Sequence, residues 1–224
     1  MVEKILIKLE SIYVHINKLF EEKGKILMFH HVTDEWVDTI ECCKCKVPRF
    51  KEIISDVQKE YEIISLDSIN DFHSRKFAIV TFDDGCLDMY ENAYPFLKEH
   101  HIPFTVYCAT DLLGKPGYIS STELKELARD PLVTIGYHTK THPMLRKVRN
   151  LYEEMWLAKE PLEQMIGRKI IHFAFPYGKL PAVGLKAIFF GKKLSYVTIM
   201  STFDTYLSSF SLRFNFFLPR TVIM

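Results

Sequence analysis

An α/β fold, with parallel strands curled into a barrel of reduced size, is predicted for this chain by three features. Short apolar runs bounded by turn residues alternate along the sequence with stretches of helical apolar spacing, which is the strand, helix, strand, helix order of βαβ units. The intervals between successive runs are long enough for right-handed crossovers. The 224 residues suffice for one domain with a well-buried core and would cramp two. A composition of 48% hydrophobic and 25% charged residues is that of a soluble globular protein, and a formal net charge of +1 supplies no broad field for nucleic acid. No nucleic-acid partner is therefore expected, and recognition must be local.

Residues 1–24 form the first expected element. Ile5, Leu9, Ile12, Ile16 and Leu19 recur at spacings of four and three, making one stripe on a helix of about four to five turns. That amphipathic helix is expected to pack on the remaining domain, residues 25–224, or to join copies into a homo-oligomer. Glu3, Glu10, Glu21 and Glu22 oppose binding to anionic lipid. Charges interrupt the apolar positions, so the segment lacks the core of a signal peptide; with no transmembrane stretch visible, a cytoplasmic setting is the expectation. Five cysteines, an odd number, fit reduced thiols there. Cys42, Cys43 and Cys45 have no second cysteine or histidine pair at suitable spacing and are not expected to hold a structural metal, while Cys86 and Cys108 read as small core residues.

After Gly24, the run Ile26 to Phe29 is a short buried strand ending at His30 and His31. Pro48 opens a helix along which Phe50, Ile53, Ile54, Val57 and Tyr61 keep helical spacing. "YEIISL" and "FAIVTF" are strands, the second delivering Asp83 and Asp84. Leu87 to His100 is helical with a kink or break at Pro95, and "IPFTVYCA" is a strand. Ser121 or Thr122 is expected to cap a helix through Leu127. "LVTIGY" is a strand ending at His138, Leu151 to Ile166 a helix kinked at Pro161 and closed by Gly167, and "IIHFAFPYG" the last regular segment before a tail rich in Phe and Ser.

The reactive residues fall at one end of this pattern. His30, Asp83 with Asp84, His138 and Tyr177 each follow the last apolar residues of a different strand, which in a parallel barrel sets them around the carboxyl-end rim. Two adjacent acids repel each other if both ionise, so a cation or a shared proton is needed unless Asp-Asp-Gly is only a turn. In "HTKTH", His138 and His142 stand four apart, and one helical turn after the strand would bring both imidazoles to one side. With a carboxylate from another strand they make the two-histidine, one-carboxylate set that leaves a metal an open position for water.

These motifs resemble those of the polysaccharide deacetylase family, carbohydrate esterases that remove N-acetyl groups from amino sugars. The resemblance rests on "ILMFHHV" at 26–32, "TFDDG" at 81–85, "HTKTH" at 138–142, "FAFPYG" at 173–178 and "LPR" at 218–220. It implies a distorted, incomplete (β/α) barrel of seven strands with a divalent metal at its mouth, zinc first and cobalt, nickel or manganese as alternatives. It makes Asp84, His138 and His142 the metal ligands, Asp83 the catalytic base, and the backbone N–H of Tyr177 an oxyanion donor. Many members carry an arginine where this chain has Ala174, to orient the base; Arg220 is the expected replacement. The late leucine-x-histidine motif that supplies a general acid is absent, and a branch of the family carries that histidine after the first strand, at the position of His30 rather than His31. The expected activity is metal-dependent hydrolysis of N-acetyl groups on a glycan or glycan precursor. Rival readings are an amidase or deformylase of a small non-polymeric amide and an inactive carbohydrate-binding barrel, against which the intact acid pair and histidine pair argue.

Overall fold

The computed structural model describes residues 2–35, 43–71 and 75–223. Helix α1 (Val2–Asn17) precedes strand β1 (Glu22–Phe29), the short strands β2 (His31–Val32) and β3 (Lys44–Cys45), and helix α2 (Val47–Glu60). Then come β4 (Glu62–Ile63), β5 (Phe77–Phe82), a π-helical turn at Met89–Ala93 running into α3 (Tyr94–Glu99), β6 (Phe104–Cys108), α4 (Ser121–Arg129) and β7 (Val133–Tyr137). The chain continues through α5 (Leu151–Met155), α6 (Glu160–Ile166), β8 (His172–Ala174), α7 (Leu180–Gly191), β9 (Thr198–Met200), β10 (Leu207–Ser208) and β11 (Thr221–Val222).

The sheet follows the order β10-β1-β5-β6-β7-β8-β9, parallel except where β10 meets β1, and curls into a partial barrel. The register sets β1 against β5 from Gly24↔Phe77 to Phe29↔Phe82, so both strands end together. The C-terminal segment lies along the open seam. Leu218 bridges Met200 of β9, and two residues past Pro219 the chain pairs with β1 at Leu27↔Thr221.

Alternation along each strand sorts side chains into two clusters. Val80, Phe82, Val106, Ile135, Tyr137 and Phe173 belong to the large core between sheet and helices, while Ile26, Ile79, Tyr107, Ala174, Met200 and Leu218 fill the barrel interior. On β5 the inward positions are Ile79, Thr81 and then Asp83; on β7 they are Thr134, Gly136 and then His138. The ionisable members of the inward set on these two strands, Asp83 and His138, come just past the carboxyl ends. A Cβ on Gly136 would lie 2.3 Å from Cδ1 of Tyr107, so glycine here gives the tyrosine ring room to cross the interior.

Four expectations need correction. On α1, Ile5, Leu9 and Ile12 are exposed and Ile16 is half-buried, with Leu19 exposed beyond the helix end; the packing face is the next set round the helix, Leu6, Glu10, Tyr13 and Asn17, because Asn17 donates to the Tyr206 carbonyl at 2.8 Å and Tyr13 packs edge-on to Phe203 at 5.3 Å. Ser120, not Ser121 or Thr122, caps α4, in a reciprocal capping box with Glu123. The helix expected over 151–166 is broken at Trp156, and Pro161 instead occupies the first turn of α6, where its missing N–H costs nothing; Gly167 closes it in the left-handed region. The tail after Gly178 is regular, carrying α7 and three further strands. Cys42 lies outside the described residues; Cys86 and Cys108 are buried as expected.

Gly136→Ala should destabilise the fold by about 1–3 kcal/mol through overpacking against Tyr107, lowering the thermal midpoint by about 2–12 °C in calorimetry. An unchanged midpoint would show that Tyr107 can move aside.

Candidate active site

Asp83 and Asp84 part company at the end of β5. Asp83 keeps the inward parity of its strand, is 2% exposed, and is gripped by Arg220, whose two terminal nitrogens donate to its two oxygens at 2.6 Å each. Arg220 is itself fully buried: its Nε donates to the Ser201 carbonyl at 3.0 Å, one terminal nitrogen reaches Thr81 Oγ1 at 3.3 Å, and the guanidinium lies 5.5 Å over the Tyr107 ring. Burial alone would raise the Asp83 carboxyl, but the charges of Arg220 and then His138 outweigh it and hold the group well below the usual carboxylate range. Asp84 takes φ 68°, which turns its carboxylate away from its neighbour.

That carboxylate meets both histidines of "HTKTH". Asp84 Oδ1 lies 3.5 Å from His138 Nε2 and 3.2 Å from His142 Nε2. His138 Nδ1 donates to the Ala174 carbonyl at 2.8 Å, which fixes the tautomer and leaves a lone pair on Nε2. Burial pushes the His138 imidazolium down to about 4, so the ring is neutral near pH 7. Asp84 Oδ1 is buried and has no hydrogen-bond partner. An orphaned carboxylate oxygen beside two imidazole nitrogens, one with its lone pair fixed by the Ala174 contact, fits a divalent cation, and this is the only such cluster among the described residues, its ligand atoms all within 4.8 Å of one another.

The two histidines do not share a helical turn. A loop joins them, with left-handed backbone at Thr139 (φ 71°) and His142 (φ 57°), and the Thr139 hydroxyl accepts from the His142 N–H at 3.1 Å. Glu154 of α5 holds the loop by accepting from the N–H groups of Lys140 and Thr141 at 3.0 Å each and from the Thr141 hydroxyl at 2.8 Å.

A cavity of about 520 Å³ opens over this cluster, lined in part by Met28, His30, His31, Asp83, Asp84, His142, Tyr177 and Lys179. His30 follows β1 with the inward parity of Ile26 and Met28, and its buried Nδ1 has no partner. Burial pushes its imidazolium down, opposed by the charges of Asp83 and Asp84. His31 also touches the cavity, but its ring is tied at both nitrogens, to Asp88 at 2.7 Å and beside Cys86 Sγ at 3.6 Å. Tyr177 is half-exposed, with its ring 4.9 Å from that of His142. Its carbonyl accepts from Thr202 Oγ1 and from the Lys179 N–H, both at 2.8 Å, whereas its own N–H has no partner among the described residues. A larger cavity, about 700 Å³ beside α3 and α4, contains none of these groups, so size does not locate the site.

Asp84, Thr139, His142 and Tyr177 are four of the five non-glycine residues with positive φ among the described residues. Left-handed backbone is disfavoured for such side chains, and its concentration here marks where the fold is held against local preference. Sequence reasoning reached every cluster residue but missed Glu154, Asp88 and Thr202, which act on those residues from elsewhere in the chain and carry no local motif.

Residues 71–188 match the family model described as polysaccharide deacetylase. A poly-beta-1,6-N-acetyl-D-glucosamine N-deacetylase of Staphylococcus aureus is 28% identical over 149 residues, which is 57% of this chain and 51% of that relative. Among solved structures, BC0361, a polysaccharide deacetylase from Bacillus cereus, superposes with a TM-score of 0.80 at 25% identity over 90% of this chain and 65% of its own. The Streptococcus pyogenes deacetylase PplD in complex with acetate gives 0.79 at 22% identity over 90% and 92%. The chain spans about half the length of the curated relatives it matches. Because the matched segment is more than half of the sequence and holds the acid pair, both histidines and Tyr177, the chain belongs to the polysaccharide deacetylase family.

Proposed function

We propose that residues 25–224 form a metal-dependent hydrolase that removes N-acetyl groups from amino sugars of a glycan or glycan precursor. The observation that carries this reading is the division between two neighbouring acids: Asp83 locked onto Arg220, and Asp84 without a hydrogen-bond partner between the Nε2 atoms of His138 and His142. Asp84, His138 and His142 would hold the cation. The mixed nitrogen and oxygen set suits zinc, with cobalt, nickel or manganese as the other candidates. Such a cation, when bound, polarises a carbonyl oxygen and acidifies water toward a pKa of ~7.

The protein's own groups supply the rest. Asp83 stays ionised and can accept the proton of the attacking water, while Arg220 fixes both of its oxygens and so its direction of approach. The unpartnered N–H of Tyr177 can donate to the oxyanion that forms on the acetyl carbonyl. An amine is a poor leaving group until protonated, and His30, with a free Nδ1 and a ring bordering the cavity, is the donor we assign; His31 is held by Asp88. The relative in Staphylococcus aureus is named for deacetylation of an N-acetylglucosamine polymer, which supports a sugar amide as substrate. No described helix is long and apolar enough to cross a membrane, and the buried thiols Cys45, Cys86 and Cys108 suit the cytosolic setting we propose.

Elemental analysis of the purified protein should find about one divalent metal per chain, lost in His138→Ala and Asp84→Asn but kept in Asp83→Asn. Acetate release from N-acetylated oligosaccharides should fall by about 10²- to 10⁴-fold in Asp83→Asn, because an amide cannot take the proton. Equal metal loss in both Asp variants would refute the division of labour.

His30→Ala should lower acetate release by a similar ~10²- to 10⁴-fold with metal retained, and His31→Ala far less. Near-normal turnover in His30→Ala would move the proton donor elsewhere.

The outward face of α1, with Val2, Ile5, Leu9 and Ile12 exposed, is the surface through which we place self-association. Light scattering should give a mass above one chain for the wild type and the monomer mass for Ile5→Lys combined with Ile12→Lys; a monomeric wild type would dismiss the idea.

A further inference from the structure

We infer that α1 is a positioning element for the oxyanion donor, acting through Glu10 on the strap Tyr177–Lys179; the inference rests on the deacetylase reading above. Glu10 sits in the inward set of α1, and each of its two carboxylate oxygens has a separate task. One pairs with Lys179 Nζ at 3.0 Å and the other accepts from the Leu180 N–H at 3.2 Å. Lys179 is the N-cap residue of α7 and offers no side-chain acceptor, so the first turn of that helix is capped from α1. Gly184 breaks the helical path at φ 74°, leaving residues 180–183 as a short turn, packed on the core by Leu180 and Val183 and tied as well by Arg146 Nε donating to the Pro181 carbonyl at 2.6 Å.

The strap itself is under local strain. Tyr177 and Gly178 both have left-handed backbone, and Gly178 is pressed against Thr202, whose backbone nitrogen would lie 2.5 Å from a Cβ there. Thr202 donates to the Tyr177 carbonyl from its hydroxyl and to the Gly178 carbonyl from its N–H at 3.2 Å. Those bonds hold the Tyr177 peptide from one side, and α1 supports that side too, through Tyr13 on the ring of Phe203 and through Asn17 Nδ2 donating to Thr205 Oγ1 at 3.2 Å. Glu10 supplies the hold on the other side. The Tyr177 N–H is therefore aimed by contacts from a helix that lies outside the segment matched by the family model.

Glu10→Ala removes both contacts, and Glu10→Gln keeps an acceptor for the Leu180 N–H while losing the ion pair. With acetate release as the readout, Glu10→Ala should lower kcat by roughly 10- to 100-fold with KM within about threefold, since an oxyanion donor acts in the transition state. Glu10→Gln should recover most of that loss, metal content should be unchanged, and Lys8→Ala on the exposed face of α1 should behave as wild type. Hydrogen–deuterium exchange gives a readout free of activity: the peptide covering 176–183 should exchange faster in Glu10→Ala than in wild type and Lys8→Ala, with the β5 and β7 peptides unaffected. Unchanged exchange in that peptide would overturn the inference, as would faster exchange with unchanged kcat. If the wild type releases no acetate from any N-acetylated sugar, the deacetylase reading falls, and with it the catalytic half of this inference. The exchange result then reports separately on whether Glu10 tethers the strap.

Discussion

The buried ion pair between Arg220 and Asp83 is the constraint on which the barrel mouth depends. Arg220 is fully buried and Asp83 nearly so, and an unpaired charge at that depth costs about 3–5 kcal/mol, so the two groups must be brought together whenever the fold is complete. Arg220 belongs to the segment that runs along the open seam between β9 and β1, and Asp83 to the strand beside β1. Closing the seam and orienting the acid are consequently one event. Two more donors of the guanidinium are satisfied by the Ser201 carbonyl and the Thr81 hydroxyl, and the Tyr107 ring lies beneath it, which narrows the pair to one geometry.

From that fixed point the other site groups are placed by backbone rather than by side-chain choice. Strand parity gives Asp83 an inward direction; the left-handed step at Asp84 then sends the next carboxylate toward the rim, so two acids adjacent in sequence face different partners. Similar steps at Thr139 and His142 fold "HTKTH" back on itself, and those at Tyr177 and Gly178 turn the chain beside the cavity that Tyr177 lines. Such conformations persist only where neighbours over-determine them. Glu154 and Thr202 do this for the second and third loops, through hydrogen bonds that bind loop backbone rather than substrate.

The central strands and the candidate residues at their ends, His30, Asp83, Asp84, His138 and Tyr177, were legible because each left a local mark: an apolar run for the strand, a polar residue at its end, and parity to say which way it points; Arg220 carries no such mark and was reached only through the resemblance to the family. Helix α1 was legible as a helix but not in its orientation. Its apolar positions, Ile5, Leu9 and Ile12, lie outside, while Glu10, Tyr13 and Asn17 are turned inward because their polar atoms find partners in α7 and the tail. A hydropathy stripe assumes that burial follows apolarity, and partnered polar side chains break that rule. The tail after Gly178 was opaque for a related reason: its strands are two or three residues long, and their pairing is set by distant neighbours that no local window contains.

Ala174 and Arg220 show how the same electrostatic need can be met from another part of the chain. The resemblance to the family leads one to look for an arginine on β8, where this protein has a fully buried alanine in one interior cluster with Tyr107, Met200 and Leu218. A long cationic side chain at that position would have to fit among those buried neighbours, where interior packing density leaves little spare volume. The backbone carbonyl of Ala174 keeps its own task, accepting from His138 Nδ1 and so holding the imidazole in the tautomer that points Nε2 at Asp84. The guanidinium that pairs with Asp83 comes instead from Arg220, next to β11 on the seam segment, so the ion pair also ties that segment to β5.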